Sequence, residues 1–255
     1  MSRNTLAALA LLSLGATAQA NQAPAADTPS VASDYTLTAN VTLASQYRYR
    51  GLMQSNNQPA IQGGFDLAHA SGFYLGNWNS SISWLGDSNR DVSAPVEMDF
   101  YGGYKGSLTQ DVPVDVGVLQ YYYPGDYPSG YTSPDTTELY AGIGYGPVMF
   151  KYSIAMTNLF GFADSKYSQY FDLSGNFDTG VWGLTVNAHI GHQQVRNVGD
   201  GSYTDWKLGL TKDFGQGLSV SVAYLDTNAD HNVYTNTRGR DMGRATGLLS
   251  VTKAF

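Results

Sequence analysis

The ionisable residues of this chain fall into groups that suit three kinds of chemistry. Charged side chains recur on alternating stretches at Asp66, Glu97, Asp99, Lys105, Asp115, Lys151, Asp172, Asp205 and Lys207, with Tyr101 and His189 among them. On extended chain, residues two apart share a face. Mixed charges facing a lumen select solutes. Arg48 and Arg50 flank Tyr49, and period two places both guanidinium groups on one face. They suit the mouth of a pore, where they would meet solute or lipopolysaccharide phosphate; a rim salt bridge to an acidic neighbour is the more ordinary reading. The third chemistry is nucleophilic catalysis, which needs a Ser–His pair and an orienting group. None of His69, His189, His192 and His231 lies in a nucleophile motif, so no catalytic residue and no enzyme is expected. His189 and His192 are three apart on a strand end, point to opposite faces and make a poor metal pair. Asp226, Asn228 and Asp230 have the oxygen chemistry of a weak Ca²⁺ loop, but a solvated loop uses the same residues. No cofactor or metal is expected.

The elements that carry these residues are strands. From Tyr35 onward, segments of roughly ten residues alternate apolar and polar positions, the pattern of a strand with two unlike faces. The first puts Tyr35, Leu37, Ala39, Val41 and Leu43 on the apolar face and Thr36, Thr38, Asn40 and Thr42 on the polar one. The second opposes Ile61, Phe65 and Leu67 to Gln62 and Asp66; the third puts Tyr74, Gly76, Trp78, Ile82 and Trp84 outward. The sixth sets Leu139 and Ile143 against Glu138 and Tyr140, and the eighth sets Phe171 and Leu173 against Tyr170 and Asp172. The last ends on Leu249, Val251 and Phe255. Breaks at 46–59, 86–95, 124–137, 158–166, 192–203 and 226–244 are long, and those between them are mostly short. This rhythm predicts an all-β fold: a transmembrane antiparallel up-and-down barrel of about twelve strands, with short periplasmic turns and long extracellular loops. Aromatic residues cluster at strand ends, as at a membrane–water interface.

Composition agrees. There is no Cys, so no disulfide framework. The net charge of −7 argues against nucleic acid as a partner and favours cations or neutral solutes in a pore. Arg3, the apolar run over 6–14 and Ala18-Gln19-Ala20 read as a signal peptide over 1–20. The Ala- and Pro-rich stretch 21–33 reads as a flexible periplasmic leader, which leaves 34–255 for the barrel.

Ser45-Gln46-Tyr47-Arg48-Tyr49-Arg50-Gly51, Gln54-Ser55 and Gln62-Gly63-Gly64-Phe65-Asp66 resemble the TorF family of porins, also described as the Gcw_chp group of bacterial proteins. So do Ser71-Gly72-Phe73-Tyr74 and Gly76-Asn77-Trp78. The resemblance in layout covers nearly all of the expected mature chain. It implies an outer-membrane barrel with a pore and brings no known substrate. The expected partners are outer-membrane lipid and lipopolysaccharide, small hydrophilic solutes and the barrel-assembly machinery. The expected role is a narrow, weakly cation-preferring channel for passive diffusion; the alternative is a plugged structural or adhesive barrel acting through its loops.

Overall fold

The computed structural model describes residues 34–255; the signal peptide and leader expected over 1–33 lie outside the described residues. The strands are β1 (Tyr35–Ala44), the short pair β2 (Arg48–Tyr49) and β3 (Leu52–Met53), β4 (Ala60–His69) and β5 (Phe73–Ser81). After the single-turn helix α1 (Trp84–Ser88) come β6 (Val96–Thr109), β7 (Val112–Tyr122), β8 (Thr136–Tyr145) and β9 (Val148–Ala155). The chain then forms β10 (Gln169–Asp178), β11 (Leu184–Gln194), β12 (Tyr203–Gly215), β13 (Leu218–Thr227) and β14 (Thr246–Ala254).

Twelve of these close into one antiparallel barrel in which every strand pairs with its sequence neighbours; β2 and β3 form a separate hairpin inside the first long loop. The seam joins β1 to β14 in register from Asn40↔Ala254 to Ala44↔Ser250. One residue beyond it, Phe255 N–H donates to the Ala39 carbonyl at 2.9 Å and Ala39 N–H donates to the Phe255 carbonyl at 3.3 Å. Closure leaves no unpaired edge, the condition for a sheet in lipid.

The two faces follow the alternation. Leu37, Leu43, Ile61, Phe65, Leu139, Ile143, Leu173, Leu208, Val222 and Leu249 are exposed on the outside, whereas Thr42, Gln62, Glu97, Glu138, Asp205 and Thr252 are buried inside. An apolar exterior around a polar interior inverts the arrangement of a water-soluble barrel and suits a bilayer. At one end the connections are short: 70–72, 110–111, 146–147, 179–183 and 216–217. The two-residue turn 146–147 needs a left-handed first residue, and Gly146 supplies it at φ 55°. At the other end lie the long loops 45–59, 82–95, 123–135, 156–168, 195–202 and 228–245.

The compact apolar clusters sit among these long loops. One joins Tyr47, Trp78, Ile82, Leu85, Val92, Tyr121 and Tyr123. A second joins Met53, Tyr203, Tyr234 and Met242.

One expected strand face is reversed. In β5 the residues Phe73 and Leu75 face out, while Tyr74 and Trp78 are buried and point inward. The alternation of β5 is ambiguous because both parities carry aromatic or apolar side chains. The lumen decides it: Tyr74 Oη donates to Asp115 Oδ1 along the inner wall, past β6, at 2.6 Å, and Trp78 joins the apolar cluster under the loops. Trp84, expected on the same strand, instead opens α1.

Candidate functional site

The inner face carries the expected charged residues, and strand register sets many of them opposite one another. Lys105 lies across from Asp115, Lys151 across from Asp172, and His189 across from Lys207. Aromatic rings hold several in place. The Lys105 ammonium lies over the Tyr74 ring, 4.7 Å from its centroid, and the Lys151 ammonium over the Tyr140 ring at 4.0 Å. Tyr101 Oη donates to Asp66 Oδ1 at 2.7 Å. His189 has Asp205 at 2.9 Å from Nε2 and Asp172 at 3.2 Å from Nδ1, and Tyr170 Oη donates to the second Asp205 oxygen at 2.9 Å. The ionisable groups run along β4 to β12. The remaining wall is lined by hydroxyls, with Thr42 bonded to Thr252 and Thr211 to Ser221, both at 2.7 Å.

Across this interior lies the first long loop, and it moves the two arginines from where the sequence pattern put them. Arg48 and Arg50 do not share a face at an open mouth; both are buried and their side chains diverge. Arg50 takes a left-handed backbone, φ 46°, followed by Gly51 at φ 78°, so period two ends at the hairpin tip. The Arg50 guanidinium donates from two nitrogens to the two oxygens of Glu138, at 2.9 and 2.8 Å. It also donates to Gln193 Oε1 at 2.7 Å and lies over the Tyr170 ring, 4.0 Å from its centroid. A planar fork on a carboxylate is the strongest ion-pair geometry available to a protein. Arg50 thus has an ion pair, in the interior where it ties the loop to β8 and not at a rim, and Arg48 has none among the described residues. Gly51 is pressed against the wall: a Cβ there would lie 2.8 Å from Cβ of Asp205 and 3.2 Å from Cβ of Thr227.

Arg48 faces the other way and binds the last loop. Its Nη1 donates to the Met242 carbonyl at 2.8 Å, and Nη2 to Asn57 Oδ1 at 2.8 Å. Burial pushes the guanidinium down to about 10, against the pull of Asp241. The last loop reinforces this seat. Met53 N–H donates to the Met242 carbonyl at 2.9 Å, Arg240 to the Asn56 carbonyl at 2.9 Å, and Arg238 pairs with buried Asp87 of α1 at 2.8 Å.

Above Arg50, Tyr47 and Tyr123 both donate to Glu97, at 2.6 and 2.8 Å, and Tyr49 bonds Tyr121. Asp99, two residues along β6, keeps one oxygen without a hydrogen-bond partner. Under the hairpin remains a cavity of ≈ 80 Å³ lined by, among others, Tyr47, Tyr49, Trp78, Asp99, Tyr121 and Lys151.

Glu138, expected among the lumen acids near the rim, belongs to this constellation, as do Gln193, Tyr140 and Tyr170, which the candidate set leaves out. Parity alone already put Glu138, Tyr140 and Tyr170 on the inner face. In the last loop, Asn228 Oδ1 accepts from Thr204 N–H of β12 and Asp230 Oδ1 from Asn232 N–H, both at 2.7 Å, so the first ties the loop to the barrel and the second holds a turn. Among the described residues no cluster of His, Cys, Asp and Glu has the makings of a metal site.

Comparison with solved structures finds the same barrel at very low identity. The chain is similar to the KdgM porin at a TM-score of 0.56 and 9% identity, over 86% of this chain and 99% of that one. It is similar to the NanC porin at a TM-score of 0.52 and 10% identity, over 86% and 99%. An outer-membrane channel from Pseudomonas putida F1 matches with a TM-score of 0.50 and 13% identity, over 92% of this chain and 100% of that one. At such identities the likeness establishes the fold. No curated protein matches in sequence. The family model described as "Bacterial protein of unknown function (Gcw_chp)" matches residues 28–255, nearly the whole chain, and the protein belongs to that family.

Proposed function

We propose that the protein is an outer-membrane channel for passive diffusion of small hydrophilic solutes, narrowed by its first loop and weakly cation-preferring. The observation that carries this reading is a closed barrel whose apolar face is outside and whose charged and hydroxyl-bearing face is inside. A polar interior in an apolar shell is what solute passage across a bilayer requires. The similarity to barrels named as porins supports the same role. The TorF-like residues over 45–84 fit it, since most of that stretch forms the inserted loop and the strands β4 and β5.

Narrowness is supported by the hairpin seated in the lumen, since a barrel of this size has little interior to spare. Cation preference is supported by the inner carboxylates Asp66, Glu97, Asp99, Asp115, Glu138, Asp172 and Asp205, which outnumber Arg50, Lys105, Lys151 and Lys207. In this reading residues 1–20 direct export, 21–33 form a leader, and the barrel-assembly machinery inserts 34–255 among lipid and lipopolysaccharide. Planar-bilayer recording of the purified protein tests the proposal: small, steady single-channel steps are expected. A second reading is favoured by one observation, the anchorage of the loop by Arg50 to three strands. It makes the molecule a plugged barrel that acts through its outer loops. Silence from folded protein would select it.

A further inference from the structure

Asp99 is the inner carboxylate that the protein leaves without a match. It is only 8% exposed, and one of its oxygens has no hydrogen-bond partner. Its neighbours are otherwise provided for. Glu97 accepts from two tyrosines, Glu138 holds Arg50 through both oxygens, and Asp205 is bonded by Tyr170 and His189. Asp172 also has an oxygen without a partner, but its other oxygen meets His189 and Lys151 lies opposite it in register. No ion pair reaches Asp99 among the described residues.

What surrounds Asp99 is aromatic. In register it lies beside Trp78 on β5 and Tyr121 on β7. Tyr47, Tyr49 and Tyr101 line the same cavity, which also takes in Asp99. The cavity's own cations are already engaged: Arg50 on Glu138, and Lys151 over the Tyr140 ring. A carboxylate lacking a donor, set among ring faces, complements one kind of guest. That guest brings N–H donors and a positive charge to the carboxylate and a hydrocarbon edge to the rings.

We propose that the cavity beneath the first-loop hairpin is a binding subsite for a small alkylammonium group, with Asp99 as its hydrogen-bond acceptor and Trp78, Tyr47 and Tyr121 as its walls. This deepens the channel reading and rests on it only for the guest's route of entry. The subsite would make the lumen retain amines as they pass, so that organic cations cross more slowly than their size predicts at low concentration and saturate the path.

The test uses the whole folded protein in detergent, with propylammonium chloride as the probe and propanol as its neutral counterpart. Isothermal titration is expected to show saturable propylammonium binding and none for propanol. Asp99→Asn, nearly isosteric, is expected to weaken it about tenfold or more. Asp111→Asn, an exposed carboxylate of the 110–111 turn, should leave it unchanged. Heat-modifiable migration establishes that each variant is folded. No saturable binding to the parent, equal binding of propanol, or undiminished binding by folded Asp99→Asn would overturn the proposal. If Asp99→Asn does not fold, Trp78→Phe takes its place: weaker binding supports the site, and unchanged binding overturns it. Conductance is recorded separately. A silent protein that binds propylammonium refutes the channel and keeps the subsite, and a conducting one that does not bind refutes the subsite alone.

Discussion

The Arg50–Glu138 contact ties the first loop to the barrel wall, and both partners are buried. Removing one member of a buried pair leaves a charge without compensation, at a cost of about 3–5 kcal/mol. Arg50→Ala is therefore expected to lower the urea midpoint of the folded barrel and, by freeing the hairpin, to enlarge the single-channel step. Arg50→Met combined with Glu138→Leu should recover much of the stability while leaving the larger step. An unchanged midpoint and step in Arg50→Ala would show that the loop is held elsewhere. Gly51→Ala tests the same seat sterically. Its left-handed φ and the close approach of Asp205 leave a methyl group no room, so a loss of about 1–3 kcal/mol is expected in the same urea titration. These contacts were not legible in the sequence. Ser45 to Gly51 reads equally well as a rim segment, and Arg50 and Glu138 are 88 positions apart. Only closure of the ring brings them together. The inward direction of Glu97, Asp99 and His189 was legible, because strand parity is local and each of these residues sits in an unambiguous alternation.

At the level of elements, the alternation of short and long connections sets the topology. An epitope inserted in the last loop, 228–245, should be reached by antibody on intact cells, whereas one at the 146–147 turn should be reached only after the outer membrane is opened. The reverse pattern would invert the orientation. The seam makes a second claim. Phe255 contributes two backbone hydrogen bonds to β1 and an exposed ring at the end of the last strand. Deleting it should lower the yield of heat-modifiable barrel; full yield would show that the seam does not need it. Strand number and the sides of eleven barrel strands could be read in advance because period two, repeated between breaks, is a strong signal. β5 could not, since Phe73-Tyr74-Leu75 places apolar bulk on both faces. Helix α1 was not legible: the pattern puts Trp84 on a strand and residues from 86 in a loop, because the helix is one turn long and held by tertiary bonds, with Ser83 N–H and Trp84 N–H both donating to the Gln54 carbonyl.

For the molecule as a whole, the proposed cation preference would follow from the balance of inner charges. Charges in a confined lumen act through little water and are screened less than those at a surface. Reversal potentials across a salt gradient should show cation preference, more marked in dilute salt. Neutralising Glu97 and Asp99 together should reduce it, with the heat-modifiable shift retained. Anion preference in the parent would mean that Arg50 and the lysines dominate the narrowest point.

The seated hairpin has a last consequence, and it concerns how the ring is counted. The loop leaves β1 and returns to β4, yet its tip meets β8, β10, β11 and the end of β12. Its reach is fixed by its length. A ring closed with one strand too few would crowd it, and one with a strand too many would carry Glu138 and Gln193 out of range. Either error strands a buried guanidinium with no carboxylate to meet it. The hairpin thus acts as a gauge of circumference: it fits the correctly closed barrel and penalises the miscounted ones.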